Sequence, residues 1–189
     1  MPRQATNIYH HRLSRDEWLG RALEALANEG GGVLTIDELV QRLGVSRGSF
    51  YWHFIDRADF VRQLVDYWSE LFTRGIAQET NQSEGSAKER LLSLMEHIVS
   101  DRLARYDIAI RAWASHNQVA ARGVKKVDEF RLSYVRSLFK EMGFKGEELD
   151  MRTRTFVVFY SLEPGLYVDI SRKDQLKQLK LRHALLTKT

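Results

Sequence analysis

The chain has 189 residues, 43% of them hydrophobic, and no cysteine. That is enough apolar content for one sizeable core or two small ones, which excludes a disordered chain, while the lack of cysteine excludes a disulfide framework, thiolate zinc sites and cysteine nucleophiles. The net charge of +4 invites a nucleic-acid partner, yet residues 1–60 hold seven Arg against eight Asp or Glu, and residues 172–189 hold six Lys or Arg against one Asp, so any DNA reading must rest on local cations rather than on the total.

Met1 to Arg15 is polar, and no apolar run approaches the roughly 18 residues of a spanning helix, so neither a signal peptide nor a membrane span is expected and the chain is read as cytoplasmic. Apolar residues recur three and four apart, and only Pro2 and Pro164 interrupt them, which predicts an all-α fold. Trp18, Leu19, Ala22, Leu23 and Leu26 stripe a first helix, closed by the glycines at 30–32. Thr35 is placed to cap a short helix over residues 36–43, with Glu38 completing a capping box and Leu39 and Leu43 inward. A turn at Gly44, Val45 and Ser46 leads to another short helix from Arg47.

Phe60, Leu64, Trp68, Leu71 and Phe72 stripe a longer helix predicted to end near Gly75, and the polar residues 78–86 read as a seam. Further stripes follow around residues 91–99, 108–113, 124–142, 151–168 and 176–186, with GFKG at 143–146 as a turn and a bend predicted at Pro164 beside Gly165. The division expected is an N-terminal three-helix domain with a helix-turn-helix, residues 1–56 including a flexible arm over 1–14, and a C-terminal helical dimerisation and ligand-binding domain, residues 57–189.

The stretch GVSRGSFYWHF, residues 44–54, suits neither a core helix nor a solvated one. In a helix-turn-helix, Gly44 supplies the positive backbone torsion of the turn, Val45 fills the angle between the helices and Ser46 caps the second helix. Phe50 and Phe54, four apart, anchor that helix inward. Arg47, Gly48, Ser49, Tyr51, Trp52 and His53 are left for the major groove: Arg47 for a guanine, Gly48 for close approach, Ser49 for a base or phosphate, Tyr51 and His53 for phosphates, Trp52 for sugars or a thymine methyl.

LTIDELVQRLGVSRGSFYWHFIDRADFV, residues 34–61, resembles the DNA-binding segment of the TetR family of bacterial transcriptional regulators, with Thr35, Leu39, Gly44, Val45, Ser46, Gly48, Phe50, Tyr51, His53, Phe54 and Arg57 in the pattern. Val40 departs from it, since a small residue is expected there. The resemblance covers about residues 13–75; beyond them it extends only to the helical plan and to DIAIRAWA at 107–114. It implies a homodimeric repressor that binds palindromic double-stranded operator DNA and answers to a small-molecule effector. It also implies DNA contacts from Thr35, Ser46 and Arg57, the last replacing the usual phosphate-gripping Lys.

Helical placement offers Arg111, Trp113, Tyr134 and Tyr160 for an effector pocket. FVVFYSLEPGLYV, residues 156–168, is apolar almost all round, and a helix of that kind is buried on two sides, so Phe156, Phe159, Leu166 and Leu179 are offered for the dimer interface. His97 with Asp101 and Arg111 with Ser115 read as surface pairs rather than ligands, and Met1 to Arg15 as a tail rather than a minor-groove arm; no metal or cofactor is expected. The alternatives are a ligand-independent DNA-binding protein, or a helical scaffold or enzyme, although the chain carries no nucleophile elbow, phosphate loop or His-Glu-x-x-His.

Overall fold

The computed structural model describes residues 13–28, 35–100, 103–162 and 170–188, and every regular element among them is helical. In chain order these are α1 (Arg15–Asn28), α2 (Ile36–Leu43), α3 (Arg47–His53), α4 (Arg57–Ser69), a π-helical turn (Glu70–Arg74), α5 (Gly75–Gln82), α6 (Ala87–Ser100), α7 (Ala104–Ala114), α8 (Gln118–Glu141), α9 (Gly146–Leu162) and α10 (Arg172–Thr187). None of the described helices is long and apolar enough to cross a membrane. Leu166, Pro164 and Gly165 lie outside the described residues, as do the glycines at 30–32 and residues 1–12 of the expected arm.

Short side chains start the helices by satisfying backbone N–H groups that have no partner within the helix. Thr35 accepts from the Glu38 N–H while the Glu38 carboxylate takes the Thr35 N–H, the expected capping box of α2. Ser14 with Glu17 and Ser86 with Glu89 repeat it at α1 and α6. Asp56, Asn117 and Ser171 cap α4, α8 and α10. Residues 13 and 14 therefore do not belong to a flexible arm: Ser14 caps α1, and Leu13 is buried in the core.

The expected helix stop near Gly75 is corrected. Gly75 has helical torsions (φ −56, ψ −50), and its N–H bonds to the Glu70 carbonyl five residues back. The backbone stays helical through the π turn, so α4 and α5 form one rod from Arg57 to Gln82. Glycine is accommodated here by crowding rather than by a turn, since a Cβ would lie 2.9 Å from that carbonyl.

Two apolar clusters surround the rod. The first gathers Trp18, Leu23, Leu39, Phe50, Phe54, Phe60, Leu64 and Trp68 with Ile110 and Trp113 of α7 and Val124 and Val127 of α8. The second joins Ile76, Leu91, Met95, Leu138, Phe139, Phe156, Tyr160, Leu179 and Leu186. Phe72, on the π turn, packs against both. Residues on both sides of position 56 therefore share the first core. α8 crosses α4 closely: a Cβ on Gly123 would meet Val65 Cγ1 at 2.3 Å, so only glycine fits there without movement.

Candidate DNA-reading surface and C-terminal cavity

The turn between α2 and α3 has the geometry its residues require. Gly44 sits in the left-handed region (φ 63, ψ 33), and the Val45 N–H closes on the Val40 carbonyl at 3.0 Å. Val40 is accommodated half-buried against the first core. Ser46 caps α3 by accepting from the Ser49 N–H at 3.2 Å. Phe50 and Phe54 are buried among Trp18 and Phe60, with ring centroids 5.1–6.1 Å apart in edge-on or tilted arrangements. That aromatic cluster fixes the roll of α3 and so decides which of its side chains face outward.

Arg47, Gly48, Tyr51 and Trp52 are exposed, as are Thr35, Ser46 and Arg57 on the flanking elements. A Cβ on Gly48 would touch nothing closer than Ser46 Oγ at 3.5 Å, so the fold itself does not demand glycine there. Besides Ser46, other expected contact residues also serve the chain. Ser49 Oγ accepts from the Trp18 indole at 3.1 Å, the Thr35 hydroxyl donates to Glu38 at 2.8 Å, and His53 Nε2 donates to the Leu13 carbonyl at 2.8 Å. His53 therefore keeps only Nδ1 for an outside partner.

Two residues on this face escape sequence reasoning. Asp37 forms a bidentate pair with Arg47, and its hydrogen bonds and then its charge push the guanidinium pKa up. Ile55, between α3 and α4, is 83% exposed, an apolar projection that water disfavours and a groove wall or sugar suits. Thr35, Ile36, Asp37, Arg47, Tyr51 and Arg57 together line one shallow basin on this face. No helical spacing signals the Asp37 pair, because a turn joins residues ten apart.

In the C-terminal half, the π turn, α5, α6, α7, α8 and α9 line a cavity of about 50 Å³. Its walls are apolar, including Phe72, Ile76, Leu94, Phe130 and Phe156, while Thr73, Asp107, Arg131 and Ser161 supply polar groups. Arg131 donates to Thr73 Oγ1 at 2.8 Å, to Asp107 Oδ1 at 2.8 Å and to Ser161 Oγ at 3.3 Å, and lies 5.3 Å from the centroid of the Trp68 ring. A buried carboxylate and a guanidinium thus neutralise each other at the cavity wall.

Of the residues offered for an effector pocket, Tyr134 and Tyr160 line the cavity, and Arg111 and Trp113 do not. Trp113 is part of the first core. Arg111 is committed to Asp128 through bonds of 2.9 and 2.5 Å; burial opposes its charge, but Asp128 and Asp107 outweigh burial and raise its pKa. The Tyr134 hydroxyl is buried beside Thr80 without a hydrogen bond of ordinary geometry, and burial pushes its pKa up, with Thr80 and Arg90 offsetting only part of this.

Of the residues offered for the dimer interface, Phe156 and Leu179 are buried in the chain's own second core, because α9 and α10 turn those positions toward α6 and α8. Phe159 is half-buried, with the Arg182 guanidinium 3.5 Å above its ring. The outer faces carry Met151, Val158 and Leu162 on α9 and Leu181 and Leu185 on α10, between 52% and 71% exposed. His97 Nδ1 donates to the Ser93 carbonyl at 2.9 Å, while Asp101 lies outside the described residues.

Residues 19–64 match the family model described as bacterial regulatory proteins, tetR family. The chain is 23% identical over 172 residues to the HTH-type transcriptional regulator SrpR of Pseudomonas putida, covering 88% of this chain and 79% of that protein. It is 26% identical over 96 residues to the HTH-type transcriptional regulator TtgR of the same species, covering 49% of this chain and 46% of that one. In fold it is similar to a TetR transcriptional regulator from Legionella pneumophila, with a TM-score of 0.72 at 15% identity over 92% of this chain and 97% of that one. The helix-turn-helix geometry, the capped turn and the aromatic anchor of α3 all lie in that matched segment, so residues 19–64 carry a DNA-binding domain of the tetR type, and the chain as a whole is similar to TetR-family transcriptional regulators.

Proposed function

We propose that the protein is a homodimeric repressor that binds a palindromic operator through α3 and releases or engages it according to a small molecule held between α5, α6, α8 and α9. The observation that carries the DNA reading is the division of α3 into a buried aromatic side and an exposed side of Arg47, Gly48, Tyr51 and Trp52, which adds nothing to the core. Arg47 and Ser49 meet base edges; Thr35, Ser46, Tyr51, His53 and Arg57 meet phosphates; Gly48 permits approach and Trp52 packs on sugars. The helices up to residue 56 do this work, and those after it dimerise and hold the effector. Selection of bound sequences from random duplex DNA tests the reading: one enriched palindrome with two half-sites is expected, and an unenriched pool would overturn it.

The cavity supports an effector that is slender and mostly apolar, with one polar group near Arg131 and Asp107 or the Tyr134 hydroxyl. At about 50 Å³ the space is far below the ~300 Å³ or more of ordinary ligand sites, so entry requires the helices to part. Phe72, Thr73 and Ile76 are on the rod that begins at Arg57, and its displacement by a ligand would move the platform of α3. A ligand shifts DNA binding only by its differential affinity for the two arrangements.

Dimerisation is proposed through the outer faces of α9 and α10, with Val158, Leu162, Leu181 and Leu185 at the seam and Phe159 beside them. A palindrome requires that two-fold pairing there bring both copies of α3 to one side of the assembly.

A further inference from the structure

Arg47 is held in place by the chain before any DNA arrives. Its Nε donates to Asp37 Oδ1 at 2.6 Å and its Nη2 to Asp37 Oδ2 at 2.5 Å, joining the first turn of α2 to the first residue of α3. A guanidinium has two edges able to make paired parallel bonds: the side edge, Nε with Nη2, and the terminal edge, Nη1 with Nη2. Asp37 occupies the side edge. The terminal edge makes no hydrogen bond to any described residue. Two parallel N–H groups on that edge match the O6 and N7 acceptors of guanine in the major groove.

The pair has little to do with stability. Both side chains are about two-thirds exposed, at 64% and 65%, where water and salt screen an ion pair almost completely. The angle between α2 and α3 is already set by Gly44, Val45 and the buried Leu39 and Phe50. A carboxylate on a surface turned to phosphates is moreover repelled unless a cation offsets it. The position of Asp37 in the first turn of α2 favours a negative charge, but Glu38 already serves that end through the capping box.

We propose that Asp37 is a specificity-determining positioning residue: it grips the side edge of Arg47 so that the terminal edge is presented, already oriented, to one guanine in each half-site. The proposal rests on α3 being the DNA-reading helix and names the device that gives one of its contacts its selectivity. An unsupported arginine samples many rotamers and serves a phosphate as well as a base; a supported one loses less freedom on pairing with guanine.

The test uses the full chain, the duplex recovered by selection from random DNA and a set in which each base pair of the half-site is replaced. Wild type, Asp37→Ala, Arg47→Ala and the double variant are compared by fluorescence anisotropy at two salt concentrations, with circular dichroism as the check of fold. Asp37→Ala is expected to lose about tenfold or more of its discrimination at the same base pair that Arg47→Ala ceases to read. Its binding to unrelated DNA should tighten, since a negative charge leaves the face, and the double variant should read no worse than Arg47→Ala. Full discrimination retained by Asp37→Ala overturns the proposal and leaves Asp37 a helix-start residue. Sharper discrimination also overturns it, because Asp37 would then be a brake that holds Arg47 off the base. If Arg47→Ala keeps every base preference while operator binding stays selective, the proposal falls and the DNA reading stands; if no sequence is enriched, both fall.

Discussion

Tyr51 is 56% exposed, edge-on to the buried Phe50 at 5.2 Å, so its ring is steadied while its hydroxyl is free to meet a phosphate. Tyr51→Phe is expected to weaken operator and unrelated DNA by a similar factor, because a phosphate contact positions without reading; a loss confined to one base pair in a binding titration would refute it. Asp59 takes the Ile55 N–H at 3.0 Å, with Gln63 and Arg62 adding bonds, and these hold its carboxyl below its ordinary 3.8. A group whose pKa is depressed by folding stabilises above its unfolded pKa and loses that contribution as pH falls through its folded value. Asp59→Asn should therefore flatten the decline of stability below about pH 4, measured by urea unfolding across that range, and leave the slope near neutrality unchanged. Tyr51 falls on the outward side of a short helix, which spacing alone shows, whereas the partners of Asp59 depend on how the chain enters α4. Arg47 has no carboxylate three or four residues ahead of it, the distance at which helical spacing would show one; the turn brings Asp37 to it from ten residues earlier.

At the level of helices, capping chemistry was readable at α2 and α3 and was equally present, though not singled out, at α1, α4, α6, α8 and α10. Glycine was the ambiguous signal. Gly44 is where a left-handed torsion ends α2, but Gly75 sits within a continuous rod and Gly123 within α8. Sequence shows the absence of a side chain and not which neighbour required it. Gly123→Ala would ordinarily favour a helix, yet here its methyl overlaps Val65, so a loss of about 1–3 kcal/mol is expected from overpacking. Adding Val65→Ala removes the clash at the cost of a smaller core contact. Thermal unfolding of the single and double variants decides the matter: the double variant should be more stable than the sum of the two single effects, and strict additivity would mean that α4 and α8 separate without cost.

Across the whole molecule, the proposed dimer and cavity make separable predictions. Leu181 and Leu185 are 63% and 71% exposed on α10, so Leu181→Glu with Leu185→Glu leaves the chain's own core untouched while placing charge in the proposed seam. Sedimentation velocity is expected to show the wild type as a dimer and the variant as a folded monomer, with palindromic binding much weaker. A wild-type monomer, or a variant that remains dimeric, would move the interface elsewhere. The apolar character of residues 156–162 was visible in the sequence, but which positions turn inward was not: Phe156 and Tyr160 serve the second core, while Val158 and Leu162 remain outside.

Local patterns in the sequence determined the helical class, the turn at Gly44, the cap at Thr35 and the inward pair Phe50 and Phe54, because spacing of three or four residues and short-range hydrogen bonds are encoded within a single helix or turn. Only the tertiary structure decided that the rod runs unbroken to Gln82, that Trp113 belongs with the N-terminal helices, that Arg131 rather than Arg111 reaches the cavity, and that Asp37 holds Arg47. Each of those depends on packing or pairing between residues brought together by the fold, and no periodicity within one segment carries that information.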